Sequence, residues 1–171
     1  MIRTALALET EPPPETLAGP ADLPLLLDEV HRFVAAFVRP DADAEDATAE
    51  TFRVALGRLR FPIPRHEARA WLLKVARRRI ADHRRRRRHA PLDEGLTEAK
   101  DPTLGPAVRA VLAQIPEDQA AALVLKYALC LSAEETAQTL GKSLAATNSL
   151  LQRGRTAFAH KGAFLNEERD R

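Results

Sequence analysis

Residues 131–155 read LSAEETAQTLGKSLAATNSLLQRGR, and their spacing decides how the second half of the chain folds. Ser132-Ala-Glu-Glu135 has the form of a capping box, in which a hydroxyl and a carboxylate each satisfy a free amide at a helix start. Thr136, Ala137 and Leu140 follow at helical spacing, and Gly141 breaks the pattern. A second helix is expected from Leu144 to about His160. Ala137, Gly141, Thr147 and Leu150 stand at the spacing of a helix-turn-helix: a small residue at the crossing, a glycine in the turn, an inner face beyond it. Leu144, Thr147, Leu151 and Phe158 are expected to face inward. Ala145, Asn148, Ser149, Gln152 and Arg153 are expected to face outward, small enough to let a backbone approach a groove. A plain antiparallel helix pair would show the same spacing, so this stretch alone leaves both readings open.

Upstream, Val108 to Gln114 begins this helical unit, and Pro116 suits the first turn of the next helix. Ala121 to Leu129 is expected to be buried, with Lys126 and Tyr127 in the scaffold and Cys130 a buried small hydrophobe. Residues 90–106 hold Pro91, Gly95, Pro102, Gly105 and Pro106 among scattered charges, the composition of a linker.

Before the linker, apolar Leu26, Val30, Phe33, Val34 and Phe37 predict a helix from Leu25 to Val38, ended by Pro40. A second helix is expected to start near Asp43 to Asp46, where acids complement the dipole of a helix start. It would bury Phe52, Ala55, Leu56 and Leu59 and turn Asp46, Glu50 and Arg53 outward. Two prolines make Arg60 to Arg65 an extended loop. From His66 to Arg88 a long helix is expected to bury Ala68, Trp71, Leu72, Val75 and Ile80, with Lys74, Arg77, Arg78, Ala81 and Arg85 as a cationic stripe. At about 1.5 Å per residue it would reach roughly 35 Å and carry its basic end away from its own core.

With 171 residues, the chain has room for one domain or two very small ones. Aromatics are only 5%, so the core must come from Leu, Val and Ala, which favours helices over sheets. No apolar run is long enough to span a bilayer, residues 1–14 lack the pattern of a signal peptide, and the single cysteine excludes an internal disulfide or a multi-thiolate metal site. A cytoplasmic protein without cofactor or metal is the expectation. The net charge of +2 conceals a strong asymmetry. Residues 65–88 carry Arg65, Arg69, Lys74, Arg77, Arg78, Arg79 and Arg84 to Arg88 against Glu67 and Asp82. Residues 41–50 carry Asp41, Asp43, Glu45, Asp46 and Glu50 and no base. The basic stretch suits a polyphosphate partner and the acidic one a basic protein surface, so one chain is expected to meet two partners of opposite sign.

Four segments in order resemble the extracytoplasmic-function group of bacterial RNA polymerase sigma factors. They are DAEDATAETF (Asp43 to Phe52), ARAWLLKVARRRIADHRRRRR (Ala68 to Arg88), IPEDQAAALVLKY (Ile115 to Tyr127) and LSAEETAQTLGKSLAATNSLLQRGR (Leu131 to Arg155). The resemblance implies an all-α fold of two small helical domains, sigma region 2 and a helix-turn-helix sigma region 4, joined by a flexible linker. The division expected is a disordered acidic tail at 1–22, region 2 at 23–89, the linker at 90–106, region 4 at 107–162 and a C-terminal tail at 163–171.

In that family region 2 docks on the clamp helices of the polymerase beta-prime subunit and opens the promoter's minus-ten element. Region 4 docks on the beta flap and reads the minus-thirty-five element. By position, Asp43, Asp46, Glu50 and Phe52 fall in the core-binding motif. Residues 61–67, with Phe61 and Arg65, fall in the loop that captures an unpaired base. Trp71, Lys74, Arg77, Arg78, His83, Arg84 and Arg85 fall on the minus-ten helix, and Ser143, Ala145, Asn148, Ser149, Gln152 and Arg153 on the minus-thirty-five reader. The partners implied are core polymerase, promoter DNA and an anti-sigma factor, with no membrane and no catalytic residue. Ala49 replaces the family's usual Gln and Arg78 its usual Asn; Thr147, Asn148 and Leu150 stand where Val, Lys and Arg are common.

Elementary energetics agree. Arg and Lys neutralise phosphates without sequence choice. Opening a base-pair step costs about 1.4 kcal/mol, and capturing an unpaired base returns about 1–3 kcal/mol, so a short bubble needs no ATP. Two other readings use the same residues. A stand-alone helix-turn-helix regulator would have no use for the acidic motif, and a Mg²⁺-dependent nuclease would use those acids for catalysis. Residue by residue, Trp71 is read as core before base stacking, the acids as dipole partners before a metal site, and His83 as a polar surface residue before a DNA contact. Arg84 to Arg88 repel one another unless an anion is near, which favours nucleic acid.

Overall fold

The computed structural model describes residues 17–58, 62–87 and 104–169. In chain order its elements are β1 (Leu17–Ala18), α1 (Leu23–Ala35), α2 (Asp41–Leu56), β2 (Ile63–Pro64), α3 (Arg65–Arg87), α4 (Pro106–Gln114), α5 (Glu117–Leu123), α6 (Ala133–Leu140) and α7 (Leu144–Arg169). The all-α expectation holds, with one two-residue strand pair added.

Helices α1, α2 and α3 pack on one another as the first unit. Leu26, Val30, Phe33 and Val34 of α1 are buried as their spacing predicts, and Phe33 meets Phe37 edge-on at 5.5 Å. Helix α2 starts at Asp41, directly after Pro40, two residues before the expected start. Its buried face differs from the expected one. Ala44, Thr48, Thr51 and Ala55 are buried, Phe52 is half-buried and Leu56 is 67% exposed; Leu59 lies outside the described residues. Small side chains let α2 lie close to its neighbours. The two buried threonines donate their hydroxyls to the Ala44 and Ala47 carbonyls one turn back (2.7 and 2.8 Å), so no polar group is orphaned.

Helix α3 buries Ala68, Leu72 and Ile80 as expected, together with Ala70, Leu73 and Ala76. Trp71 and Val75, expected in the core, are only half-buried. The reason is that α3 packs on two sides, against α1 and α2 and against α6, so no single apolar stripe describes it. Beyond Ile80 no described side chain of α3 is buried: Arg84 is half-buried, Arg85 and Arg86 are exposed, and Arg88 lies outside the described residues.

The second unit comprises α4 to α7. Val124–Ala128 continue α5 as a π-helical turn, after which the chain reverses at Cys130. Cys130 takes a φ of 54° and is exposed, not buried as expected. The turn is closed instead by Leu131, whose amide donates to the Leu125 carbonyl at 3.0 Å and whose side chain is buried. The Ser132–Glu135 capping box forms in both directions (3.1 and 2.7 Å). Gly141 ends α6 at a φ of 65°, which favours a residue without a β-carbon. Gly154 matters differently: a β-carbon there would lie 3.2 Å from Leu123 and 3.3 Å from the Gln119 carbonyl, so it permits the close crossing of α5 and α7.

One contiguous apolar cluster runs through both units, from Leu26 and Phe33 to Leu125 and Leu150. Of the proposed linker only Leu104 to Pro106 are described, and Pro106 already belongs to α4. Helix α7 continues to Arg169, past the expected end near His160. In the region read as a disordered tail, Leu17 to Asp22 are ordered: β1 pairs antiparallel with β2, Leu17 opposite Pro64 and Ala18 opposite Ile63.

Candidate functional site

Three surfaces carry the residues singled out from the sequence. The first is the groove between α2 and α3, lined by Asp43, Asp46, Glu50, Arg53, Arg79 and His83. Asp46 is exposed; Asp43 and Glu50 are partly covered. Arg53 donates two hydrogen bonds to Glu50 (2.7 and 2.8 Å), and Arg79 stands 3.4 Å away. The Arg53 hydrogen bond holds the Glu50 carboxyl below its ordinary range, and the same contact raises Arg53. His83 turns its Nε2 to Asp43 at 3.6 Å, so its partner is an acid of α2. Phe52 sits beside this face, packed against the core. The nuclease reading requires carboxylates that converge, and among the described residues no three metal-ligating side chains do.

The second surface is α3 with the loop before it. Phe61 lies outside the described residues. Pro62 is exposed, Arg65 stands 3.9 Å from Asp22, and the backbone of β1 runs along β2. The cationic stripe divides in two. Lys74, Arg78 and Arg85 face out; Arg85 pairs with Asp82 at 3.0 Å. Trp71 and Lys74 line a shallow groove with Val54, Arg58 and Arg78, so the half-buried indole has one edge among cations. Arg77 and Arg84 instead face the second unit. Arg77 pairs with Asp118, and Arg84 lies 3.5 Å from Glu117 with its guanidinium over the Phe37 ring at 5.2 Å.

The third surface is the start of α7. Ala145, Asn148, Ser149, Gln152 and Arg153 are exposed, while Thr147, Leu150 and Leu151 are buried. Leu144, the first residue of α7, is 41% exposed, against expectation. Ser143 spends its hydroxyl oxygen as a cap, accepting from the Ala146 amide at 3.2 Å. Ser149 donates to the Ala145 carbonyl (3.0 Å) and Arg153 to the Ser149 carbonyl (3.3 Å). Asn148 and Gln152, one turn apart, have exposed amides that can both donate and accept.

Two features escaped the sequence reading. An apolar groove between α4, α5 and α7 is lined by Leu104, Val108, Leu112, Leu123, Val124, Tyr127 and Phe158. Tyr127 is 55% exposed on its rim, where Arg155 donates to its hydroxyl at 3.4 Å. Arg69, counted only as part of a charge run, bridges Glu29 (2.7 Å), Glu135 (3.4 Å) and the Leu129 carbonyl (2.9 Å). The Tyr127-Leu129 stretch has no period to flag the first, and partners 40 or more positions away leave no local trace of the second.

Known proteins match these surfaces in order. Residues 25–90 match the family described as Sigma-70 region 2, and residues 106–158 match Sigma-70, region 4. The ECF RNA polymerase sigma factor SigC of Mycobacterium tuberculosis is 33% identical over 140 residues, covering 76% of this chain and 75% of that protein. Two solved structures share the fold. The sigma factor RpoE of Bartonella quintana, in complex with the anti-sigma factor NepR, has a TM-score of 0.66 at 20% identity over 82% of this chain and 94% of its own. CnrH, in complex with the cytosolic domain of CnrY, has a TM-score of 0.61 at 25% identity over 86% and 84%. With both regions present in sequence order and a relative aligned along three quarters of its length, the chain belongs to the extracytoplasmic-function group of RNA polymerase sigma factors.

Proposed function

We propose that the three surfaces divide the work of a sigma factor among named residues. Asp46 and Glu50, with Asp43 and Phe52 beside them, hold the clamp of core polymerase. Residues 61–65 capture an unpaired base while Trp71, Lys74, Arg77, Arg78, His83, Arg84 and Arg85 grip the minus-ten strands. Asn148 and Gln152, framed by Ser143, Ala145, Ser149 and Arg153, read the minus-thirty-five element. The apolar groove rimmed by Tyr127 takes the beta flap. One observation carries the reading: carboxylates cluster on α2, cations on α3, the two meeting only across the groove between them, and exposed neutral amides stand on α7. Carboxylates repel DNA and suit a basic protein surface; cations bind phosphate; amides discriminate bases.

The protein does no covalent chemistry on this reading and acts where polymerase acts, in the cytoplasm; an anti-sigma factor is a third partner. A stand-alone regulator is disfavoured because it leaves the α2 acids without a role. Run-off transcription tests the assignment, using core polymerase, a library of genomic fragments and sequencing of transcript 5′ ends. Transcripts from a defined promoter set should appear only when the protein is added. D46A/E50A should lose core association, and N148A/Q152A should blur the upstream consensus while still binding core. Unchanged co-purification of D46A/E50A with polymerase would overturn the assignment of α2.

A further inference from the structure

Pro62 and Pro64 lack amide hydrogens, so the loop before α3 can do little to hold itself. It is held from elsewhere. Ile63 packs on the core, and β1 lies antiparallel to β2 with Ala18 opposite Ile63 and Leu17 opposite Pro64. Because Pro64 cannot donate, the pair that exchanges both hydrogen bonds is Ala18 and Ile63. A ladder this short has little stability of its own, and the chain anchors it at once. A single 3-10 turn, Pro20–Asp22, follows β1. It is closed by the Asp22 amide on the Gly19 carbonyl (3.0 Å) and by the Gly19 amide on the Asp22 carboxylate (2.9 Å). Helix α1 starts at the next residue, Leu23, and Leu26 sinks into the core. Asp22 also stands 3.9 Å from Arg65, the first residue of α3. Residues 17–22 thus tie the loop to the starts of both α1 and α3.

A loop that receives one base gains affinity and selectivity by being held in its receiving shape beforehand, because backbone freedom lost on binding counts against the complex. We propose that residues 17–22 are a brace that holds this loop in shape, with Ala18 and Asp22 as positioning residues for base selection at the minus-ten element. The proposal rests on the reading that residues 61–65 capture an unpaired base. It adds that the choice of base depends on a segment that need touch neither DNA nor polymerase. A strap that only stabilised the fold would, when cut, weaken every function of the chain alike. A brace, when cut, blurs selection at one element.

The test uses the full chain assembled with core polymerase, and run-off transcription from a promoter library randomised at the minus-ten and minus-thirty-five elements. Ala18→Pro removes the amide that donates to Ile63, and Ala18→Ser keeps it. The Ile63 amide should be protected from hydrogen exchange in wild type and exchange faster in A18P. Preference for the favoured base at the minus-ten position should fall about five- to tenfold in A18P, the effect of returning backbone freedom to roughly one residue. Preference at minus-thirty-five and affinity for core should not change, and A18S should behave as wild type. Faster Ile63 exchange with an unaltered minus-ten preference overturns the brace, as does equal blurring of both elements or an Ile63 amide already unprotected in wild type. Should A18P fail to fold, Asp22→Ala decides: blurring confined to minus-ten supports the brace, and wild-type selectivity overturns it. Sharp selection by wild type that A18P retains removes the brace alone. A wild type that yields no transcripts would strike at the sigma-factor reading itself.

Discussion

Helices α3 and α7, the two proposed to face DNA, stand in opposite conditions within one molecule. The outward face of α7 is small and neutral, its serine and arginine lean on their own backbone, and Asn148 and Gln152 stand free at the surface. The face of α3 is densely cationic, and three of its arginines are engaged by the other unit. Neutral amides lose little by waiting in water. Clustered guanidinium groups repel one another and draw in whatever carboxylates the fold can bring near. On the proposed assignment, the helix that would read duplex DNA has its amides exposed, and the helix that would grip opened strands has part of its cationic face paired with acids.

The contrast assumes that the two units form one body, and this is where the largest effect is expected. Phe33 is fully buried at the heart of the first unit, in the apolar cluster that reaches the second. Phe33→Ala should cost about 3–5 kcal/mol. The single Trp71 and single Tyr127 report on opposite units, so their fluorescence in urea should show coincident midpoints moving together. A shift in the Trp71 transition alone would break the single-body picture. Next comes Gly154→Ala, whose added methyl would press on Leu123 and the Gln119 carbonyl. It should destabilise by about 1–3 kcal/mol, read as a lowered urea midpoint.

A more local effect sharpens the contrast between the helices. Asn148→Ala with Gln152→Ala should remove up to about 1–3 kcal/mol of base discrimination per lost contact, read by competition between upstream sequences, without altering the radius of the chain. The smallest effect lies on α2. Arg53 holds the Glu50 carboxyl below the usual range, so the pair contributes fully above the ordinary glutamate pKa and is lost as pH falls through the depressed one. A carboxyl-selective NMR titration should place Glu50 below the ordinary glutamate range, and Arg53→Ala should raise it.

Much of this was legible beforehand. The order of the helices, the capping box at Ser132 and the outward set of α7 all follow from local signals: period, cap chemistry and a glycine in the turn. What the sequence did not reveal depends on neighbours far along the chain. Leu56 and Leu144 look like core by period but are exposed, each being the terminal residue of its helix. Cys130 looks buried between two leucines, but the left-handed turn that closes onto Leu125 swings it out. Trp71 lies on the side of α3 that carries exposed Lys74 and Arg78, whereas Leu72, Leu73, Ala76 and Ile80 are buried where α3 meets α1, α2 and α6. The ordering of Leu17 to Asp22 against β2, and the pairing of Arg77 with Asp118, join segments more than 40 positions apart. Periodicity carries no information at that range.

The central claim is that α3 grips promoter DNA as part of an assembly that α2 anchors to core polymerase. It is tested most directly by the affinity for a non-template minus-ten oligonucleotide, taken from the promoters that run-off recovers. Fluorescence anisotropy would measure it for the free chain, for core alone and for the two together. The account predicts weak binding to either alone and an affinity at least about tenfold higher for the pair, more than 1.4 kcal/mol of coupling. A free chain that binds the oligonucleotide as tightly as the assembled enzyme would contradict it.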